Sequence, residues 1–285
     1  MKRILIIGNS AAGVATAESL RAQDKQAKIA IVSDEPFMAY EGHKVLDYLQ
    51  GAIKEKDIYF KNQDFYKNNS IDLLLEREVT ELNLNKKKAI FKDREFFEFD
   101  FLVIASGLRV QMPALKGVQK EGVIGLNGLK EAKFLIENLP IAHTVIVSGE
   151  SDTAQRVSKI VAGKKIEVKF LGKTDAVIEG VDVIQDNPIT EILGDSEVRA
   201  IRLSNNKVIG ASIVVFCSPM VPKLDFLKDT GIAMDRSILV DNEKRTSIPF
   251  IFAVGDCAYS GTAKTDGWQE ALEEGAQLGS VLCRI

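Results

Sequence analysis

The stretch that most limits what this chain can become is its opening, RILIIGNSAAGVATAESLRAQDKQAKIAIVSDEP, residues 3–36. An apolar run, a turn of small residues, an amphipathic stretch, a second apolar run and then acids predict a strand, a helix and a parallel strand within about 30 residues. Gly8 permits a sharp exit from the first strand, and Ser10 and Ala11 are small enough for backbone amides to approach a pyrophosphate. Gly13 then lets the helix pack close to the sheet. An anion at this turn meets the unpaired N–H groups and the positive dipole end of a helix. Asp34 and Glu35 follow about 20 residues after the turn, the distance at which a carboxylate can accept hydrogen bonds from an adenosine ribose.

Residues 143–170 repeat this logic as HTVIVSG, a turn, TAQRVSKIVAG and KIEVKFLG. Between the two units, residues 71–104 alternate as a small antiparallel sheet feeding a buried strand, with Lys86, Lys87 and Lys88 at a solvated hairpin tip. Residues 111–142 read as a loop followed by a helix. After the second unit come short strand-like pieces, GVDVIQD, SEVRAIRL, NKVIG and ASIVVFCS, with no long amphipathic helix before Ser218. SILVDNEKRTSIPFIFAVGDCAYSG then reads as a strand pair with a glycine turn, and DGWQEALEEGAQLGSVLCRI as a final helix.

A chain of 285 residues with 46% hydrophobic residues can bury a sizeable core, and its net charge of −3 gives no general pull toward nucleic acid or an anionic membrane. The first strand-like run starts at Arg3, which leaves no room for a secretory signal, and no apolar stretch approaches the ~18 residues needed to cross a bilayer. A cytoplasmic protein is expected. Cys217, Cys257 and Cys283 are far apart, and with two histidines in the chain no metal site is expected. A redox dithiol close in sequence is excluded, while distant cysteines meeting in space are not.

IIGNSAAG with Glu35, FDFLVIASG at 99–107 and TSIPFIFAVGD at 246–256 resemble the pyridine nucleotide-disulfide oxidoreductase superfamily. The likeness is greatest to its single-flavin branch of rubredoxin reductases, ferredoxin reductases and the flavin portion of NADH-dependent nitrite reductase. The resemblance implies an α/β protein of two Rossmann-like domains with a small antiparallel sheet: an FAD-binding domain of residues 1–110 and 221–285, and an inserted, shortened NAD(P)-binding-like domain of residues 111–220. It implies FAD contacts at Gly8, Ser10, Ala11, Ala12, Gly13, Asp34, Glu35, Val79, Ala105, Ser106, Gly107, Gly255, Asp256, Gly267, Trp268 and Gln269. Asp256 would bond the ribityl chain. The backbone near Gly267, Trp268 and Gln269 would face the flavin pyrimidine, where the helix dipole stabilises charge on the reduced ring. Trp268 reads equally well as a core aromatic anchoring the last helix.

The chain departs from that pattern in several places. PFMAYEGHKVLDYLQG, the stretch that carries the redox cysteine in disulfide reductases, has none, which argues against disulfide reduction and a cysteine-sulfenate peroxidase. Tyr40 is present, but Gly42 stands where the flavin-only branch often has arginine. His43 and Lys44 are the polar candidates left to bond flavin or substrate, with a solvent-facing role as the alternative. In VIVSGESDTAQ, Glu150 falls where the family has a glycine against the pyrophosphate, Thr153 where a later glycine lets the helix pack, and Gln155 where an acid is frequent. A carboxylate within about 4 Å of a phosphate costs about 1 kcal/mol in water and about 4 at an effective dielectric of 20, weakening binding roughly tenfold to a thousandfold. Pro219 replaces a glycine in FCSPMVP, and the helix after KFLG is missing. The NAD(P)H site is therefore expected to be weak or absent, and the C-terminal interface domain used by many relatives for dimerisation is not expected.

The reading that results is an FAD-dependent oxidoreductase passing electrons through a non-covalent flavin, with a ferredoxin-, flavodoxin- or rubredoxin-type partner. Its alternatives are an NAD(P)H-dependent rubredoxin/ferredoxin-type reductase and a non-catalytic flavoprotein subunit or redox-sensing module.

Overall fold

Apolar runs separated by small-residue turns set the order of the elements. In the computed structural model, which describes residues 1–261 and 267–285, the chain begins β1 (Arg3–Ile7), α1 (Ala11–Gln23), β2 (Lys28–Val32), α2 (Val45–Gln50), α3 (Gln63–Asn68) and β3 (Ile71–Leu74). It continues through β4 (Val79–Asn83), β5 (Lys88–Phe91), β6 (Phe96–Glu98), β7 (Phe101–Ile104), β8 (Leu108–Val110), β9 (Val123–Gly125) and α4 (Leu129–Asn138). Then come β10 (Thr144–Ser148), α5 (Asp152–Ala162), β11 (Glu167–Leu171), β12 (Val181–Ile184), β13 (Ile189–Leu193), β14 (Ala200–Leu203) and β15 (Val208–Gly210). The remainder is β16 (Ile213–Phe216), β17 (Met220–Pro222), β18 (Ile238–Leu239), β19 (Ile251–Ala253), β20 (Ala258–Tyr259) and α6 (Gly267–Cys283).

Two compact units result, one of residues 1–43, 55–108 and 222–285, the other of residues 44–54 and 109–221. The first holds a parallel sheet in the order β19-β7-β1-β2-β3, the second a parallel sheet in the order β12-β11-β10-β16-β9. The two orders superimpose strand for strand: β1 corresponds to β10, β2 to β11, β3 to β12, β7 to β16 and β19 to β9. Each unit adds a three-stranded antiparallel sheet, β4-β5-β6 in the first and β13-β14-β15 in the second. The central strands are buried along most of their length and read as near-continuous Val/Ile/Leu runs, as sheets covered on both faces must.

The structure differs from the sequence reading in three places. Residues 44–54 belong to the second unit, because Leu46 and Leu49 pack into its core with Leu135, Val157 and Val215. Residues 123–125, read as loop, form β9 on the edge of the second sheet beside β16. In the segment read as a strand pair with a glycine turn, β18 does pair with β20, but the segment holds a third strand, β19, which joins the main sheet beside β7. No helix intervenes between β11 and β12. Among the described residues no helix is long and apolar enough to cross a membrane, and no group of three His, Cys, Asp or Glu side chains is placed to hold a metal.

Candidate functional site

Where β1 gives way to α1, Gly8 donates its N–H to Val32 O (2.9 Å) and takes φ +120°, and a Cβ there would overlap the Ala105 carbonyl oxygen. A Cβ at Gly13 would in turn overlap the Gly8 carbonyl, so helix and turn meet backbone to backbone. Ala11 and Ala12 open α1. Ser10 is its N-cap residue, makes no side-chain cap bond, and is followed by no acid in the first turn, which leaves the amide end of α1 available to an anion. Ser106, just past β7, carries a buried hydroxyl with no hydrogen-bond partner, beside Gly107 at φ +67°. Gly255, at φ +75°, comes close to Ala12: a Cβ there would stand 3.0 Å from the Ala12 Cβ. The exposed Asp256 follows, and a Cβ on Gly267 at the start of α6 would stand 3.9 Å from its Oδ1.

Gly8, Asp34, Val79 and Ser106 line one narrow cleft of about 50 Å³, together with Ser33, Arg77, Lys223 and Phe226. Lys223 forms an ion pair with Asp34 on its wall. Lys223 had no signal in the sequence; its pair is partly exposed, and parting it to admit an adenosine would cost no more than about 1 kcal/mol. Glu35 accepts the Tyr40 hydroxyl through both carboxylate oxygens (3.1 and 3.0 Å). The residues present fit FAD: an uncapped helix end, an orphaned buried hydroxyl and glycines that only a close backbone approach requires converge at the ends of β1, β7 and β19. Gly8, Gly13, Ser106, Gly255 and Asp256 would hold it.

Trp268 is half-buried between two rings, with His43 at 5.4 Å and Phe60 at 5.2 Å between centroids, both edge-on. It is thus both an anchor for α6 and a neighbour of one polar candidate. His43 Nε2 lies 3.4 Å from Glu41 Oε2, whereas Lys44 falls in the other unit. Gln269 is exposed and donates to Glu273 Oε1 (3.0 Å). Glu274 and Lys244, which sequence reasoning missed, form a pair beside Gly255 (Nζ to Oε1 2.5 Å). Glu274 could have been found, since it lies three and four residues from the buried Ala271 and Leu278, on the core-facing side of α6.

In the second unit the turn between β10 and α5 corrects the sequence register. Gly149 donates to Leu171 O (3.0 Å) as Gly8 does to Val32, and α5 starts three residues after Gly149 as α1 starts three after Gly8. Gly149 is therefore the counterpart of Gly8, Glu150 of Asn9, Ser151 of Ser10 and the fully buried Ala154 of Gly13. Neither Glu150 nor the exposed Thr153 occupies a position that demands glycine. The misreading arose because Ser148, a polar residue, is still part of β10 and pairs with Leu171 and Phe216.

The two turns nevertheless differ in what they offer an anion. Ser151 Oγ accepts from Ala154 N (3.3 Å), Asp152 sits in the first turn of α5, and the Glu150 amide donates to Ser218 Oγ (3.0 Å). Ser218 is the counterpart of Ser106, so the hydroxyl orphaned in the first unit is bonded in the second. Ser148, Gly149, Glu150, Lys173, Asn187 and Pro219 line a cleft of about 730 Å³ here.

None of the three cysteines is in a disulfide. Burial pushes the Cys217 thiol up to about 12, Cys257 is fully buried near the Ile104 and Val254 carbonyls, and Cys283 packs in a different cluster from Cys257. Desolvation thus disfavours the thiolate at Cys217 and Cys283.

Two parallel α/β units, each with a tight glycine turn leading from its central strand into a helix, define the class of two-dinucleotide flavoprotein oxidoreductases. The chain belongs to the pyridine nucleotide-disulphide oxidoreductase family, whose sequence profile matches residues 2–275. It is 28% identical over 282 residues to an NADH oxidase of Methanocaldococcus jannaschii, covering 90% of this chain and 63% of that protein. It is 27% identical over 273 residues to the ferredoxin–NAD(+) reductase subunit of a benzene 1,2-dioxygenase system of Pseudomonas putida, covering 90% of this chain and 67% of the relative. Its fold matches that of a covalent putidaredoxin reductase–putidaredoxin complex with a TM-score of 0.87 at 22% identity, over 99% of this chain and 75% of the other. The chain thus spans roughly two thirds of the length of these curated relatives.

Proposed function

We propose that this chain is an FAD-dependent oxidoreductase of the ferredoxin and rubredoxin reductase kind, with FAD at the first turn, a weakened nicotinamide dinucleotide site at the second, and a small electron-transfer protein as partner. When bound, the flavin supplies the hydride and single-electron chemistry; the protein binds, orients and tunes it. The observation that carries this reading is the contrast between the helix ends. α1 has no side-chain cap and no acid in its first turn, while α5 is capped by Ser151, carries Asp152 and has its turn amide bonded to Ser218. A pyrophosphate at the second turn must displace the Ser218 hydroxyl and face the Glu150 and Asp152 carboxylates, whereas the first turn presents an open amide end and an unpaired Ser106 hydroxyl. The partner class is supported by the relatives, one of which is by name a ferredoxin–NAD(+) reductase subunit.

The deciding experiment is an anaerobic titration of FAD-loaded protein with NADH and then NADPH, following the visible flavin absorbance. Slow or partial bleaching that needs a large excess of either nucleotide, with full bleaching by dithionite and by a reduced ferredoxin, is the expected result. Prompt stoichiometric bleaching would reject the weakened site. Under the weakened-site reading, replacing Glu150 with Gln should raise nucleotide affinity about tenfold, since removing a like charge near a phosphate is worth roughly 1 kcal/mol or more. An intact NAD(P)H site is the second reading, favoured by the 730 Å³ cleft and its Lys173.

A further inference from the structure

Lys244 should not be where it is. It follows Asp241, Asn242 and Glu243 in a polar turn, yet it is only 7% exposed. The turn is braced by Asp241, whose Oδ1 accepts from the Glu243 and Arg245 amides (2.9 Å each), and Lys244 takes φ +63°, an unfavourable region for a lysine. Its carbonyl accepts from Ala253 N on β19 (3.1 Å). Its ammonium meets Glu274 Oε1 on α6 at 2.5 Å, and the second oxygen of that carboxylate accepts from the Gly255 N–H at 3.1 Å. A single carboxylate therefore joins a buried cation, the last helix and the first amide of the Gly255–Cys257 turn that presents Asp256.

A buried ion pair is a poor source of stability, because desolvation offsets most of its attraction and an apolar pair of similar size often does as well. Its value must be sought in what it holds. We propose that Glu274 is the positioning residue of the flavin loop: one carboxylate oxygen fixes the Gly255 amide and thereby sets the direction of Asp256, while Lys244 balances the buried charge that this carboxylate brings. Glu274 acts on the cofactor only through that loop. This inference rests on the FAD reading above.

Two double variants separate the hydrogen bond from the charge. Lys244→Met with Glu274→Gln removes both charges but keeps an amide oxygen for the Gly255 N–H; Lys244→Met with Glu274→Leu removes both charges and the acceptor. FAD dissociation constants are read by flavin fluorescence on the full-length, FAD-free protein, and hydrogen exchange of the Asp256 and Cys257 amides on the same samples. The expected result is FAD binding within about threefold of wild type for the Gln variant. The Leu variant should bind about tenfold more weakly or worse, as befits loss of a buried charge-free hydrogen bond, and exchange faster at both amides without FAD. Equal FAD affinities in the two double variants overturn the inference, whatever the exchange rates. A wild type that takes up no FAD overturns the flavin reading and this inference with it, so the two failures are told apart by the wild-type titration.

Discussion

Ser106 and Ser218 stand at the same position, two residues beyond the end of a parallel strand, and their hydroxyls have opposite circumstances. Ser218 accepts from the Glu150 amide, while Ser106 is buried without a partner. An unmade hydrogen bond in the interior costs about 1–3 kcal/mol, a cost that FAD at the proposed site would remove by satisfying the Ser106 hydroxyl. Replacing Ser106 with Ala should leave the FAD-free protein as stable as wild type, or up to about 1 kcal/mol more stable, in urea unfolding. The same change should weaken FAD binding about three- to tenfold. Destabilisation of the FAD-free protein with unchanged FAD affinity would show that the hydroxyl has a structural partner instead. Ser218 replaced by Ala frees an exposed amide, so stability should change by less than about 0.5 kcal/mol while NADPH binds more tightly.

At the level of elements, the strand edges and helix contacts carry the argument. The start of β1 is tied to β7 by Arg3, which donates its amide to Asp100 Oδ2 (2.8 Å) and its Nη2 to Asp100 Oδ1 (3.1 Å), holding the Asp100 carboxyl below its ordinary value of 3.8. A carboxyl lowered in the fold contributes stability above its unfolded value and loses it as pH falls through the folded value. Both side chains are more than a third exposed, so solvent screening limits the effect to about 0.5–1 kcal/mol. Wild type should therefore lose that much more stability than Asp100→Asn between pH 5 and pH 2, measured by chemical unfolding. The contact of α1 with α6 is equally specific: a Cβ on Gly279 would stand 2.6 Å from Ser19 Cβ and 2.7 Å from Thr16 O. Gly279→Ala should cost about 1–3 kcal/mol, because neither helix backbone can retreat without disturbing its sheet. The strand, turn and helix from Arg3 to Val32 were legible because each boundary coincides with a change from apolar to small to amphipathic. The end of β10 was not, because a polar residue that closes a strand cannot be told from the first residue of a turn. Nor were the three residues of β9 or the membership of residues 44–54, which depend on partners far away in sequence.

For the whole molecule, the recurrence of one sheet order in both units means that the proposed function has to be tested turn by turn. Each unit has its own buried clusters, those of Ile4 and Leu5 in the first and those of Val145 and Ile146 in the second. A ligand that binds the native form of one unit stabilises that unit by mass action, about 2.7 kcal/mol at a hundredfold excess over its dissociation constant, and local exchange follows local stability. Hydrogen exchange of the full chain is thus a map of both sites. FAD should protect amides at 8–13, 104–107 and 253–257 and leave 149–154 near their FAD-free rates. Millimolar NADPH added afterwards should protect 149–154 and 171–173, with smaller gains than FAD produces at the first turn, because the amides at the second are already bonded by Ser218 and Ser151. Protection of 149–154 by FAD alone would reverse the assignment: Ser218 would then have yielded to the flavin's pyrophosphate, and the orphaned Ser106 would need another ligand.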